Sequence, residues 1–213
     1  MPLLQGLAEV VIGIHNGTDD ATITPDNLFV LDSSNGGPTG FNLQNLSATP
    51  TSVYGGDGVY LNLSAGTGAV QATFNALDLP QELIANLLGY KKDTASGAWL
   101  HGKDSRPRYA TVMARSHDKD GKSAMLGLFS GTFTRGDVNP QTSNASTQHT
   151  TDSLVFHAVA NPQGFTYAEG VNGVNGVTLE KFETLLFGQT VKRKNPVNDG
   201  GQDAAVSNAV PKA

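Results

Sequence analysis

The sequence has no cysteine among its 213 residues. This absence excludes a disulfide framework, a zinc site built on thiolates and a thiol nucleophile. Charged residues are also scarce at 15%, below the roughly 25% that is usual in globular domains. The net charge of −5 argues against binding to the outside of nucleic acids. No apolar run approaches the roughly 20 residues of a membrane-spanning helix, so we expect no contact with a membrane.

Basic residues are absent from the first 90 positions, which carry eight acidic residues. The first basic residue is Lys91, and residues 91–135 contain nine basic and four acidic residues. The two segments therefore have local charges of −8 and +5. A requirement for solubility explains a mildly acidic protein, but it does not explain this split. Residues 1–9 lack the basic region of a secretion signal, so we expect synthesis and folding in a cytoplasm.

Glycine is plentiful, with 25 residues, and the composition favours strands and turns. Alternating apolar residues predict strands over 7–15, 23–31, 59–64, 69–75, 108–116, 122–134 and 153–160. In the strand over 122–134, the odd-numbered residues from Met125 to Phe133 are expected on one face. The segment at about 33–58 is rich in glycine, serine and asparagine. We predict that it is an extended loop or arm, ordered by a partner.

Two helices are predicted. Asp78 is a candidate N-cap for the first, Gln81 completes a capping box with it, and Gly89 is a suitable stop. The second is a shorter helix over 178–187, between a threonine cap and a glycine stop.

No sequence motif indicates catalysis, a metal or a cofactor. The histidines lack a partner three or four residues away. The turn at 118–121 lacks the ligand spacing of a calcium loop, and Gly66-Thr67-Gly68 lacks the third glycine of a dinucleotide-binding loop. His101, Asp104 and Ser105 are neighbours in one loop, whereas the residues of a catalytic triad usually come from separate segments. We therefore expect no enzymatic activity, no catalytic residue, no bound metal and no cofactor.

One stretch of the chain is distinctive. Residues 75–90 read NALDLPQELIANLLGY, in which DLP leads into a helix that ends in LLG. Downstream come RPRY at 106–109, the hairpin turn and TDSLVFHA at 151–158. In this order and spacing, over about residues 68–160, the chain resembles the phi13-like family of phage major tail proteins. That family has two prolines where this chain has only Pro107, a departure that bears on the shape of a loop.

The resemblance implies a tail tube protein of a long, non-contractile phage tail, located in the virion. It implies a mainly β fold, a β-sandwich or partial barrel with one flanking helix, over residues 1–194. We expect 195–213 to form a C-terminal arm or flexible tail. Six copies would form a ring, and rings would stack head-to-tail around a channel for DNA ejection. The implied partners are further copies of the chain, the tape measure, tail terminator and distal tail proteins, and DNA that passes without sequence-specific binding.

The uneven charge has a use in such an assembly. An acidic part of one subunit can face a basic part of its neighbour, and acidic groups in the lumen would repel phosphates. We predict that some of the acidic residues at 57, 78 and 82 lie near residues 91–135 of another subunit. The candidate inter-subunit contacts are Phe41, Tyr54, Asp57, Asp78, Glu82, Lys91 and Lys92.

An alternative function is a carbohydrate-binding or receptor-binding β-sandwich of a phage tail or a cell surface. It would bind glycans through exposed aromatic side chains such as Trp99, Tyr54 or Tyr60. A hydrolase with a site assembled by the fold is a third alternative, and no motif supports it.

Overall fold

The computed structural model of the chain describes residues 4–18, 21–63, 66–138 and 151–193. The arm predicted over 195–213 lies outside these ranges. The strands are β1 (Leu4–Ile14), β2 (Leu28–Leu31), β3 (Pro38–Gln44), β4 (Thr51–Gly55), β5 (Gly58–Leu63), β6 (Gln71–Ala76), β7 (Lys91–Lys92), β8 (Trp99–Leu100), β9 (Tyr109–Asp118), β10 (Ser123–Arg135), β11 (Asp152–Val159) and β12 (Tyr167–Val171). The helices are α1 (Gln81–Leu88) and α2 (Leu179–Phe187).

Eight of these strands form one antiparallel sheet, so the prediction of a mainly β fold is confirmed. The strand order is β2-β1-β9-β10-β11-β6-β3, and β12 pairs with the N-terminal half of β10. The pairs β4–β5 and β7–β8 are separate hairpins. The sheet is curled: Phe41 of β3 and Leu7 of β1, although distant in the strand order, line the same small cavity. Hydrogen bonds join its strands from β2 to β3, and within the described residues it does not close into a barrel.

The concave face of the sheet holds the larger of two apolar clusters, here called the inner core. In β1, Val10, Ile12 and Ile14 point into it and are fully buried. Phe133 and Phe156, from neighbouring strands, meet edge to face with ring centroids 4.9 Å apart, a geometry that aromatic pairs favour. Each such buried side chain contributes about 1.5–3 kcal/mol, so the alternation within the strands fixes which face is the core.

Helix α1 packs against the inner core through an apolar face that includes Leu83 and Leu87. The capping box predicted for Asp78 and Gln81 is wrong. The helix starts after Pro80, and no side chain caps its first turn. The predicted stop is confirmed, because Gly89 adopts a left-handed conformation with φ of 69°.

Helix α2 lies on the other face of the sheet. There it covers the second apolar cluster, here called the outer core. Thr178 caps it by accepting a hydrogen bond from the Lys181 amide at 3.3 Å, and Gly188 ends it with φ of 70°, as predicted. Its residues Phe182 and Leu186 pack with the outward-facing Met113. The described residues thus contain two α-helices, one on each face, rather than the single flanking helix that the resemblance implied.

The loop predicted at about 33–58 is wrong as secondary structure. Its middle forms β3, which pairs with β6, and its end forms β4. The tight turn at Gly36 and Gly37, both with positive φ, replaces a long loop. Phe41 and Leu43 then alternate with polar residues and pack against the inner core, which is why this short segment is a strand.

The predicted single face of β10 is also wrong. Leu128 pairs with Val112, but the next pair of the ladder joins Gly131 to Ala110. The extra residue on β10 is a β-bulge, which reverses the alternation. Met125 therefore belongs to the outer core, whereas Phe133 belongs to the inner core.

Candidate assembly surfaces

The hairpin of β4 and β5 stands apart from the main sheet and exposes apolar side chains. All six residues of β5 are exposed, and Tyr54 and Tyr60 are 72% and 82% exposed. The hairpin is held by its own ladder and by a 2.6 Å hydrogen bond from Ser52 Oγ to Asn62 Oδ1. An isolated two-stranded hairpin is only marginally stable in water. Its exposed apolar surface is therefore suited to contact with a partner.

Asp57 lies at the tip of this hairpin. Gly56 and Asp57 both have positive φ, of 58° and 62°, which is the pattern of a tight hairpin turn. The turn holds the carboxylate of Asp57 at the outermost point of the hairpin, where it is exposed. Asp57 forms no ion pair with another described residue. Tyr54 and Asp57, both predicted contacts, thus share one projecting element.

The remaining predicted contacts lie elsewhere. Asp78 and Glu82 are exposed at the start of α1, and Lys91 and Lys92 are exposed in β7 directly beyond that helix. Phe41 is only partly exposed, because its side chain packs against the inner core. The structure therefore divides the set into a hairpin group and a group around α1, with Phe41 separate from both.

The hairpin of β7 and β8 carries basic and aromatic side chains. Lys92 lies over the ring of Trp99, with Nζ 5.6 Å from the ring centroid, a cation–π contact. The turn is closed by Asp93 Oδ2, which accepts from the Ser96 hydroxyl at 2.5 Å and from its amide at 2.8 Å. The Ser96 hydroxyl bond is the main reason why the pKa of Asp93 lies below its usual value. Trp99 is half-buried and in contact with a cation, so one face of the ring is not free for a sugar.

Four charged side chains form a buried cluster beneath the end of α2, here called the ion quartet. Its members are Glu9 of β1, Arg115 of β9, Glu183 of α2 and Arg193. Arg193 Nη2 donates to Glu9 Oε1 at 2.6 Å, and its Nε donates to Oε2 at 2.9 Å. Arg193 also donates to Glu183, and Arg115 Nε lies 3.1 Å from Glu9 Oε1. Two acids and two bases balance, so the cluster is neutral as a whole.

Burial and the neighbouring charges have opposite effects on the pKa values of Glu9 and Arg193. Burial by itself raises the pKa of Glu9, but the hydrogen bond from Arg193 and the charges of Arg115 and Arg193 outweigh it. The pKa of Glu9 is therefore lowered. Burial likewise opposes the charge of Arg193, and hydrogen bonds to Glu9 and Glu183 overcome it, so that its pKa is raised. Both shifts favour the charged forms of Glu9 and Arg193.

The ion quartet was not predicted from the sequence. Its members are up to 184 positions apart, and no local pattern joins them. One weak signal exists, since Glu9 directly precedes the apolar run of β1, and an acid next to a buried strand needs a partner. One of the eight acids in the basic-free segment is thus neutralised within the subunit.

The convex side of the sheet beyond α2 forms a further surface, here called the polar face. Its members are the outward-facing residues of β3, β6, β11 and the end of β10: Asn42, Gln44, Gln71, Thr73, Asn75, Thr132, Thr134, Ser153, Val155 and His157. His157 joins two of these strands, with Nδ1 3.3 Å from Gln71 Nε2 and Nε2 3.1 Å from Thr134 Oγ1. Apart from Val155, every residue of this face is polar and carries no Lys, Arg, Asp or Glu charge, so the alternation of polar and apolar residues in these strands is the signal in the sequence for this face.

Two properties of the described ranges bear on other functions. No group of three or more metal-ligating side chains occurs in them. Neither of their helices has the length and apolar character that crossing a membrane requires.

Comparison with known proteins gives one family match. The model of a family described as phage tail tube protein matches residues 11–184, from the middle of β1 into α2. The match covers well over half of the chain, and it does not distinguish the narrower phi13-like group, which stays a prediction. No curated protein matches the sequence.

Proposed function

The chain belongs to the phage tail tube protein family, and we propose that it builds the tube as hexameric rings stacked head-to-tail around a channel for DNA. Family membership makes it a structural component of the virion tail. The ring and the channel are the finer part of the proposal. They follow the resemblance to phage major tail proteins and the surfaces that the subunit leaves uncovered.

The observation that carries the proposal is the exposed hairpin of β4 and β5. Val59 and Leu61 are 54% and 47% exposed, and the hairpin lies outside the main sheet. Apolar side chains on such an element gain about 25 cal/mol for each Å² that a partner buries. A second copy of the chain is the partner that a tube supplies to every subunit.

The sheet also has edges that a neighbour can extend. The strands β2 and β3 end the strand order, each with one unpaired side within the described residues. Unpaired edges are a liability in a monomer but join chains in an assembly. Contacts between unlike surfaces form a ring when the rotation closes and a filament when it does not. Stacked rings need closing contacts within each ring and non-closing contacts between successive rings.

Opposite charges then set the register between subunits. Asp57, Asp78 and Glu82 are exposed and without ion pairs to described residues, as are Lys91 and Lys92. We propose that acids of one subunit meet the basic segment of its neighbour. Such contacts add specificity and association rate more than affinity. The tape measure, tail terminator and distal tail proteins are the proposed partners at the ends and inside the tube.

Electron microscopy and analytical ultracentrifugation of the purified chain test the proposal. We expect rings or tubes, and we expect Val59→Ser to shift the distribution toward monomers. Val174→Ser makes the same change at a valine that is 41% exposed in a turn away from the hairpin, and it is the matched control. A chain that stays monomeric at high concentration, even with tail initiation proteins added, contradicts the proposal.

A further inference from the structure

The polar face differs from the rest of the exposed surface in its lack of charge. None of its ten positions holds a lysine, arginine, aspartate or glutamate. Elsewhere the exposed surface does carry charges, for example Lys119 and Asp120 in the turn between β9 and β10. The face spans four adjacent strands in continuous register, since Asn42 pairs with Thr73, which pairs with Val155, which pairs with Thr134.

Within the part of the chain that the structure describes, no helix packs on the polar face. The opposite side of the same strands, for example Phe74 and Leu154, is buried in the inner core. Helix α1 packs on that inner side, and α2 packs on the outer side of β1, β9 and the first half of β10. Both described helices are thus engaged elsewhere. The side chains of the polar face remain half-buried or exposed.

The composition of the polar face does not fit the centre of a protein interface. Interface centres are depleted of charge, but they are enriched in aromatic residues, methionine and arginine. The face contains no residue of these types, and Val155 is its only aliphatic member. It does not fit a surface that binds DNA either, because affinity for the phosphate backbone comes from lysine and arginine.

Resting on the proposed tube, we infer that the polar face lines the channel and is the surface past which the polyanion moves. Hydroxyl and amide groups keep a layer of water by hydrogen bonding and form no ion pair with phosphate. A passing DNA chain is therefore not held at any row of the face. The identity of the lining strands follows: β3, β6, β11 and the C-terminal half of β10.

The absence of cysteine from the sequence makes a direct test available. Thr73→Cys places one thiol in the middle of the polar face, and Thr132→Cys is a second variant two strands away. Glu180→Cys, exposed in the first turn of α2, is the control for the outside of the tube. Each assembled variant is treated with a small charged thiosulfonate and, separately, with a maleimide coupled to a globular carrier protein. Unassembled subunits show that each thiol reacts with both reagents.

We expect Thr73→Cys and Thr132→Cys in tubes to react with the small reagent and to be protected from the carrier-bound one, whereas Glu180→Cys reacts with both. Reaction of the polar-face thiols with both reagents would place the face outside, and reaction with neither would place it in a subunit contact. Either result overturns the inference and leaves the tube intact. Failure of the unsubstituted chain to form rings or tubes overturns the proposed function, and the inference with it.

Discussion

Arg193 donates two hydrogen bonds to the carboxylate of Glu9, from Nη2 to Oε1 at 2.6 Å and from Nε to Oε2 at 2.9 Å. The two residues are 184 positions apart in the sequence. This bidentate geometry is the strongest arrangement of a carboxylate and a guanidinium. It ties the segment after α2 to the first strand of the sheet. Because the pair is buried, removing one partner leaves the other as an uncompensated buried charge, which lowers the free energy of unfolding.

Glu9→Gln should destabilise the protein by about 3–5 kcal/mol, because it leaves Arg115 and Arg193 buried with only Glu183 as an acid. Urea unfolding followed by circular dichroism measures the loss. Asp120→Asn is the control, since its ion pair with Lys119 is exposed and should contribute little to the free energy of unfolding because solvent screens it. Equal effects of the two substitutions would show that the ion quartet contributes no more to the free energy of unfolding than an exposed ion pair does.

Stability should also fall in acid. The pKa of Glu9 is lowered in the folded state, so its contribution is complete above the unfolded value of about 4.3 and is lost as the pH falls through the folded value. Thermal unfolding at a series of pH values should show a steeper decline for the unsubstituted chain than for Glu9→Gln. Parallel curves for the two proteins would contradict this role of Glu9.

Gly131→Ala should cost about 1–3 kcal/mol, the usual range for overpacking. A Cβ at this position would lie 2.6 Å from the ring of Phe156 and would also meet the His157 carbonyl. Gly58→Ala, in a strand of the exposed hairpin where a Cβ meets nothing within 4 Å, is the matched control. Chemical unfolding distinguishes them, and a neutral Gly131→Ala would mean that the inner core is looser than its contacts indicate.

Replacing Lys91 and Lys92 together by glutamate should weaken assembly, and more so at low salt, because opposite charges across the contact would become like charges. The double replacement of Lys181 and Lys192 by glutamate makes the same change of charge at exposed positions outside residues 91–135, and we expect it to leave assembly unchanged. Sedimentation at several salt concentrations provides the measurement. Unchanged tubes from the variant with glutamate at 91 and 92 would contradict a role for the uneven charge distribution in assembly.

Local signals predicted much of the fold because they act over a few residues. The alternation of Val10, Ile12 and Ile14 identified β1, and Thr178 and Gly188 set both ends of α2. Asp78 failed as a cap because Pro80 begins the helix later. The strand β3 was missed because only Phe41 and Leu43 mark its buried side.

Long-range features could not be predicted in the same way. The ion quartet joins residues from three elements and the segment after α2, and only the folded sheet brings them together. The hairpin of β4 and β5 was predicted in part, since β5 was expected as a strand and Tyr54 as a contact. Its position outside the main sheet depends on β3 and β6 pairing directly with each other, which no local pattern states. Whether the predicted residues form subunit contacts stays a prediction.

The bulge in β10 shifts the phase of one strand by a single residue. Before it, odd-numbered side chains lie under α2, and after it, even-numbered side chains such as Thr132 point outward. One continuous strand can thus support two unlike exteriors, a helix-covered layer and a bare polar one. Deleting one residue there would leave a regular ladder with the same facing, because residues 129 and 130 together oppose Thr111 and only one of them is needed to keep Gly131 opposite Ala110. The extra residue therefore lets one alternating run of apolar side chains supply both cores, with Met125 in the outer core and Phe133 in the inner core.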